Sequence, residues 1–403
     1  MRKFSYEAKD NSTNKIVKAT VQADSERAAA KLLVAQGFSP LNIKEQSENT
    51  SFFKQLAGRI TTKDRVVFTR QLSTLIAAGL PLSQSLRTVV EQTPNKRLKA
   101  IVEEVINAVE GGKSLHEAFS AHPEVFDKLF LALVAVGEAS GTLDDSLQRI
   151  AAQQEKDAAT MSKIRGAMTY PVIVLFVIGG VLAFMLLTVV PQVEKLYEDL
   201  NKTLPFLTMA MVTASQVLIR FWWLIVILMV VGGYFFLQYL KTESGIKAKD
   251  SFKLNVPIFS GMFRRLYMAR FNRTGQTLLV TGVSMMDMLR ISSEAVNNTL
   301  ISQSIDHAAE KVKGGKALSS ALQPEDYIPE MVPQMIKIGE QSGRIDEMMG
   351  KTAKIYEDEL DQEIQAISTA IEPVLMVVLA IVAGGMVGAI LLPIYGLVNT
   401  MGV

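Results

Sequence analysis

The sequence predicts a mainly α-helical membrane protein: two repeated cytoplasmic helical-bundle domains on three transmembrane helices, with a small N-terminal ββαβ domain. Three observations predict it, namely three charge-free apolar stretches, a long internal duplication, and an alternating N-terminal pattern. With 49% hydrophobic and 20% charged residues, the 403-residue chain is too apolar for an ordinary soluble protein. Its mean hydropathy of +0.22 is still low for a polytopic transporter. The net charge of +2 argues neither for nor against an acidic partner, and nucleic acid is not expected. There is no cysteine, which excludes disulfide and thiolate chemistry. Three histidines, His116, His122 and His307, leave little for a metal or proton-relay site.

The first span is expected over 168–191, within a charge-free stretch from Gly166 to Val193 that Pro191 closes. The second, 217–240, has Trp222 and Trp223 near one interface and Tyr234 and Tyr239 near the other. The third, 372–393, has its core end near Pro393. Lys156, Lys163 and Arg165 precede span one, and Lys241, Lys247, Lys249, Lys253, Arg264, Arg265 and Arg270 follow span two. The loop between them carries only Lys195 and Lys202 against Glu194, Glu198 and Asp199, so the positive-inside rule places it outside. The start, Met1-Arg2-Lys3-Phe4-Ser5-Tyr6, has no apolar core of a signal peptide, so the N-terminus is expected in the cytoplasm.

Residues 271–290 repeat residues 68–87: Phe, Arg, Thr, Leu, Gly, Leu and Arg recur in register. The same offset relates Gly111-Gly112-Lys113 to Gly314-Gly315-Lys316. At an offset one shorter, Gly137-Glu138-Ala139-Ser140-Gly141 matches Gly339-Glu340-Gln341-Ser342-Gly343, Pro171 matches Pro373, and Pro191 matches Pro393. The repeating unit is thus a soluble module followed by a span, and span two returns the chain to the cytoplasm. Within a module, Phe68, Leu72, Leu75 and Ile76 share a helix face after Thr61, a candidate cap, and Gly79 ends that helix. Leu98, Ile101, Val102, Val105, Ile106 and Val109 form a second stripe, and Ser114 with Glu117 fits a capping box.

The expected organisation is a small α+β domain over 1–46, a linker over 47–60, and a six-helix module over 61–165. The first span is followed by a short external loop over 192–216, and the second by a basic cytoplasmic connector over 241–263. A second helical module fills 264–368, and 394–403 is an external tail. In the N-terminal domain Phe4, Tyr6 and Ala8 alternate, as do Val17, Ala19 and Val21; a helix is expected over 25–36 and a strand near Leu41–Ile43.

Glu110-Gly111-Gly112-Lys113-Ser114 superficially fits a phosphate loop, but that pattern needs glycine where Asn107 stands, and the second copy has Ala317 in place of the hydroxyl. A helix–turn–helix connection is the better reading, with no nucleotide hydrolysis and no cofactor. In the Gly-Glu-x-Ser-Gly element, Gly141 and Gly343 suit left-handed turns that Ser140 and Ser342 assist, and Gly137 and Gly339 open it. Glu138 and Glu340 then face the negative end of their own helix and are expected to need a cation. Arg70 and Arg273 are the first candidates, Arg87 and Arg290 the alternates, and binding of a partner by the glutamate is the competing reading. The acidic run Glu357-Asp358-Glu359 with Asp361 and Glu363 calls for a counter-charge from Lys247–Arg270, ahead of a divalent cation, since no calcium-loop spacing is present. No metal site is expected. Uncharged span interiors disfavour a transporter, and no nucleophile–base constellation supports an enzyme; a transporter or a membrane-anchored signalling protein is the alternative class. Gly384 and Gly388 allow close helix contact.

Phe68-Thr69-Arg70-Gln71-Leu72, Ala78-Gly79-Leu80-Pro81-Leu82 and Gly137-Glu138-Ala139-Ser140-Gly141 resemble motifs of the F-protein family of type II secretion systems. That family includes the inner-membrane platform protein of type IV pilus machines. Met168-Thr169-Tyr170-Pro171, Val190-Pro191, Leu204-Pro205 and Glu372-Pro373 extend the likeness over nearly the whole chain. The second module departs most, with Gly275 in place of Leu72 and Ser284 in place of Pro81. The resemblance implies a non-enzymatic, multi-pass inner-membrane protein that binds a hexameric cytoplasmic ATPase. It also implies contact with pilin or pseudopilin subunits, other inner-membrane components of the machine and membrane lipid, in a homo-oligomer.

Overall fold

A computed structural model describes residues 2–10, 16–23, 30, 38–45, 59–199 and 206–400. Residues 1–61 with 93–100 form one compact unit and the remainder another. In the first, strands β1 (Arg2–Asp10), β2 (Ile16–Ala23) and β3 (Phe38–Glu45) make an antiparallel sheet in the order β2-β1-β3. Tyr6 pairs with Ala19 on one side and Ile43 on the other, and the register with β3 shifts between Glu7 and Ala8. These strands alone do not make the expected ββαβ unit, because the helix expected over 25–36 lies, apart from residue 30, outside the described residues, as does most of the linker.

The first repeat comprises α1 (Thr62–Ala77), α2 (Leu82–Gln92), α3 (Lys96–Glu110), α4 (Leu115–Ser120), α5 (Lys128–Ser140) and the start of α6 (Leu143–Phe184). Local chemistry sets the helix ends. Gly79 takes φ +83° after α1, and the Ser114 hydroxyl accepts from the Glu117 amide at 3.1 Å. The Asp127 carboxylate accepts from the Phe130 amide at 2.9 Å to start α5. The core holds Phe68, Phe119, Phe126 and Phe130, with Phe119 edge-on to Phe130 at 5.0 Å between ring centres.

The chain then enters the first apolar helix. α6 passes through Pro171, continues as a π-turn over Met185–Val189, and runs on as α7 (Val190–Asp199). Pro191, the expected close of this span, does not end the helix. Within hydrocarbon a broken backbone leaves amides without partners, so the chain widens by a π-turn just before the proline rather than stopping. α8 (Phe206–Tyr239) is kinked at Phe221 (φ −116°, ψ 16°), beside Arg220 and Trp222. Most of the expected external loop is therefore helical. α9 (Glu243–Asn255) follows a turn capped by Thr242.

The second repeat comprises α10 (Ser260–Val280), α11 (Met285–Val296), α12 (Thr299–Lys313), α13 (Leu318–Leu322), α14 (Met331–Ser342) and α15 (Ile345–Thr400). α15 is 56 residues of continuous helix, passing through both Pro373 and Pro393. At 1.5 Å per residue it is ~84 Å long. The second repeat is aliphatic at positions where the first is aromatic: Phe271 remains, while Leu322, Ile328 and Val332 stand where Phe119, Phe126 and Phe130 do. Gly275 has a clear packing role. A β-carbon there would lie 2.2 Å from the Met349 methyl and 3.2 Å from the Met288 sulfur. Met349 is fully buried and its side chain reaches over Gly275, the position that Leu72 holds in the first repeat.

Three helices are long and apolar enough to cross a membrane, and almost none of their apolar surface is covered by protein. Phe176, Leu228 and Ile381 are 81%, 68% and 69% exposed. An uncovered apolar area of that extent requires a lipid environment.

The Gly275–Met349 exchange makes a prediction. Met349→Ala should cost about 2–4 kcal/mol, since glycine opposite cannot fill the cavity. Gly275→Ala should cost less, because the flexible methionine can withdraw. Thermal melts of the detergent-solubilised chain would rank the two.

Candidate functional site

The Gly-Glu-x-Ser-Gly element sits at the end of α5 and again at the end of α14. Gly141 and Gly343 adopt φ +74° and +72°, and their amides donate to the carbonyls of Gly137 and Gly339. The Ser140 and Ser342 hydroxyls donate back to Val136 and Ile338 at 2.7 and 2.8 Å. Gly137 and Gly339 let the next helix come close. A β-carbon at Gly137 would sit 2.5 Å from the Ser146 hydroxyl oxygen, and one at Gly339 2.7 Å from the Ile345 α-carbon.

The two glutamates overturn the expected ion pairs. Glu138 contacts neither Arg70 nor Arg87; it accepts from the Leu115 and His116 amides at 2.7 and 3.0 Å. Glu340 accepts from the Ser319 amide at 3.2 Å and the Ser319 hydroxyl at 2.5 Å. Each carboxylate thus caps the short helix α4 or α13, whose N-terminus presents bare amides and positive potential. The unfavourable end of the glutamate's own helix is offset by the favourable end of another.

The arginines recur for a different reason. Arg70 forms a two-pronged pair with Glu155 on α6. The hydrogen bonds from Arg70 hold the Glu155 carboxyl below its ordinary range, and those to Glu155 raise the Arg70 pKa. Arg273 repeats the arrangement with Glu357 on α15, at 3.0 and 2.9 Å. Glu155 and Glu357 are related by the same shortened offset as the two glycine-rich elements, a signal that could have exposed them in the sequence. Arg87 instead pairs with Glu110 at 2.6 Å, and Arg290 with Asp287 at 3.0 Å.

The acidic run is fully engaged. Glu357 takes both Arg273 and Lys156 of the first repeat, Asp361 takes Lys163 at 2.7 Å, and Asp358 takes Lys354 at 2.7 Å. Arg265 bridges Glu359 and Glu363 at 3.0 and 2.9 Å, and it is the member of the expected basic stretch that reaches them. Lys128 and Glu294 add a further bridge between repeats at 2.5 Å. Lys156–Glu357 and Lys163–Asp361 seam α6 to α15 just before both enter the apolar zone. Beside the seam lies a cavity of about 740 Å³ whose lining includes Arg65, Asp127, Gln154, Asp157, Arg270 and Glu294. Burial pushes the Asp157 carboxyl up, against the pull of the Arg270 charge and a hydrogen bond from Gln153. Among the described residues, no group of three His, Asp or Glu could hold a metal.

Two outcomes follow for these residues. Glu138→Ala should cost about 1 kcal/mol, the usual worth of a helix cap, and hydrogen exchange should show lost protection at Leu115 and His116. Asp157 is raised in the folded chain, so its protonated form favours folding. Stability should fall as pH rises from the ordinary aspartate range through the raised value. Asp157→Asn should flatten that fall in pH-dependent melts, with no loss of stability at neutral pH.

The chain matches two protein-family models. One is described as type II secretion system (T2SS), protein F, over residues 68–191 and again over 273–393. The other is the type II secretion system protein F N-terminal domain, over residues 1–44. The two matches of the first model coincide with the two repeats and their spans. The chain is 35% identical over 408 residues to a type IV pilus assembly protein PilC of Thermus thermophilus, covering 99% of both proteins. It is 35% identical to PilC of Myxococcus xanthus, over 99% of this chain and 95% of that one. It is 32% identical to type II secretion system protein F of Xanthomonas campestris, over 99% of both. With its three apolar helices, it is an inner-membrane protein. It belongs to the type II secretion system protein F family, whose members are structural platform proteins.

Proposed function

We propose that this chain is the non-enzymatic platform of a type IV pilus or type II secretion machine, coupling a hexameric cytoplasmic ATPase to insertion or extraction of pilin or pseudopilin subunits. The modules over 61–165 and 264–368 and the N-terminus face the cytoplasm, and the spans contact the subunits, other membrane components and lipid within a homo-oligomer. The relatives' names support the assembly role. The basic flanks of spans one and two support the orientation.

The observation that carries the coupling is helix continuity. α6 and α15 each run unbroken from a module's core into an apolar span. A torque or push on a module therefore reaches the membrane along a stiff rod instead of being absorbed in a loop. Inserting Gly-Ser-Gly-Ser after Ser162 interrupts one rod between module and span. Pilus assembly or secretion should be lost while the protein remains folded and membrane-inserted; undiminished assembly would overturn the coupling.

A further inference from the structure

We propose that α9 and the turn after it form an in-plane membrane anchor that binds the anionic headgroups of the cytoplasmic leaflet. This rests on the reading that the three apolar helices span the bilayer.

Both ends of α9 lie at the inner membrane boundary. Its start follows Tyr239 of span two through a three-residue turn, and Gly245 packs so closely on the Tyr239 carbonyl that a β-carbon would sit 1.9 Å from its oxygen. Its end leads through Val256-Pro257-Ile258 to Phe259. Phe259 joins the cluster of Met262, Leu266 and Ile367 with Ile164, Ala167 and Ile371, where α6 and α15 enter their spans. The two levels agree by counting. The Ser215 hydroxyl donates to the Leu186 carbonyl at 2.5 Å, which fixes the far ends together. From there Arg165 and Tyr239 lie roughly 32 and 36 Å along their helices at 1.5 Å per residue. A helix tied at both ends to one plane runs along that plane.

One face of α9 is committed to the second repeat. Leu254 is buried, and the buried Asp250 carboxylate accepts from the Thr299 amide at 2.9 Å, capping α12. The other face carries Phe252, 69% exposed, one turn from Lys249. Ile258, 66% exposed, is held at φ +76°, a costly conformation for a β-branched residue that projects an apolar side chain outward. Lys241, Lys247, Lys249 and Arg264 make no salt bridge among the described residues, and Glu243 is the one exposed acid of the helix. Protruding apolar groups, with Lys249 on the Phe252 face and further unpaired cations at Lys241, Lys247 and Arg264, match an anionic lipid surface at headgroup depth. A soluble partner would leave the level of this helix unexplained.

The absence of cysteine permits single-site spin labels on the full chain. Labels at Phe252→Cys, Leu228→Cys and Lys113→Cys would be compared in vesicles of phosphatidylglycerol and phosphatidylethanolamine by collision with oxygen and with a water-soluble nickel complex. The label at 252 should report the lipid side of the headgroups, the one at 228 the bilayer interior, and the one at 113 water. Lys247→Glu with Lys249→Glu should move the 252 label towards water. An aqueous 252 label with 228 in lipid would overturn the anchor alone, whereas an aqueous 228 label would overturn the spanning helix itself. A 252 label in lipid but indifferent to the lysine changes would overturn the choice of anionic lipid.

Discussion

The seam between α6 and α15 is the constraint on which the rest of the molecule depends. Two helices that begin in different repeats are brought side by side by Lys156–Glu357, Lys163–Asp361 and a shared apolar cluster, immediately before each enters the membrane. Exposed ion pairs contribute little singly. Here two of them lie beside a packed apolar cluster, and one involves Glu357, a carboxylate already fixed by Arg273, so the arrangement has little freedom to slide. The register between the repeats, and so between the two spans, is set at this point.

Duplication gave the two repeats one set of backbone devices and different interiors. The αL glycines, the closely packed Gly137 and Gly339, the capping glutamates and the Arg–Glu forks recur in both. The side chains between them do not: a phenylalanine cluster in one repeat becomes leucine, isoleucine and valine in the other, and Leu72 becomes Gly275 with Met349 reaching over it. Interiors tolerate such exchanges when volume is kept, while turns that need a positive φ or a bare helix terminus that needs a carboxylate do not. Gly137 and Glu138 are therefore read best as parts of a joint between helices.

Much of this was legible in the chain. Periodicity and the repeat gave the helices of both modules, and charge-free length gave the three spans. The Ser114 cap is realised as the hydrogen bond from the Glu117 amide, and the glycine stops at Gly79, Gly112 and Gly141 as positive φ values. What the sequence hid were choices among equivalent partners. A recurring Glu and a recurring Arg invite pairing, yet Glu138 takes amides of α4 and Arg70 takes Glu155. Helix termini carry partial charges that no residue letter records, and helix ends at proline are ambiguous when the surroundings offer the backbone no water. That is why Pro191 and Pro393 read as stops and are passed through. The pairing of Lys156 and Lys163 with the acidic run joins residues about 200 positions apart, beyond the reach of any local pattern.

The proposed coupling requires both repeats on one side of the membrane with α6 against α15. In the otherwise cysteine-free chain, Lys163→Cys with Asp361→Cys would be treated in native membranes with a short bismaleimide and analysed for joined peptides. A link within a single chain at high yield is the predicted result. Two thiols that each react with a monofunctional maleimide yet never join would contradict the arrangement.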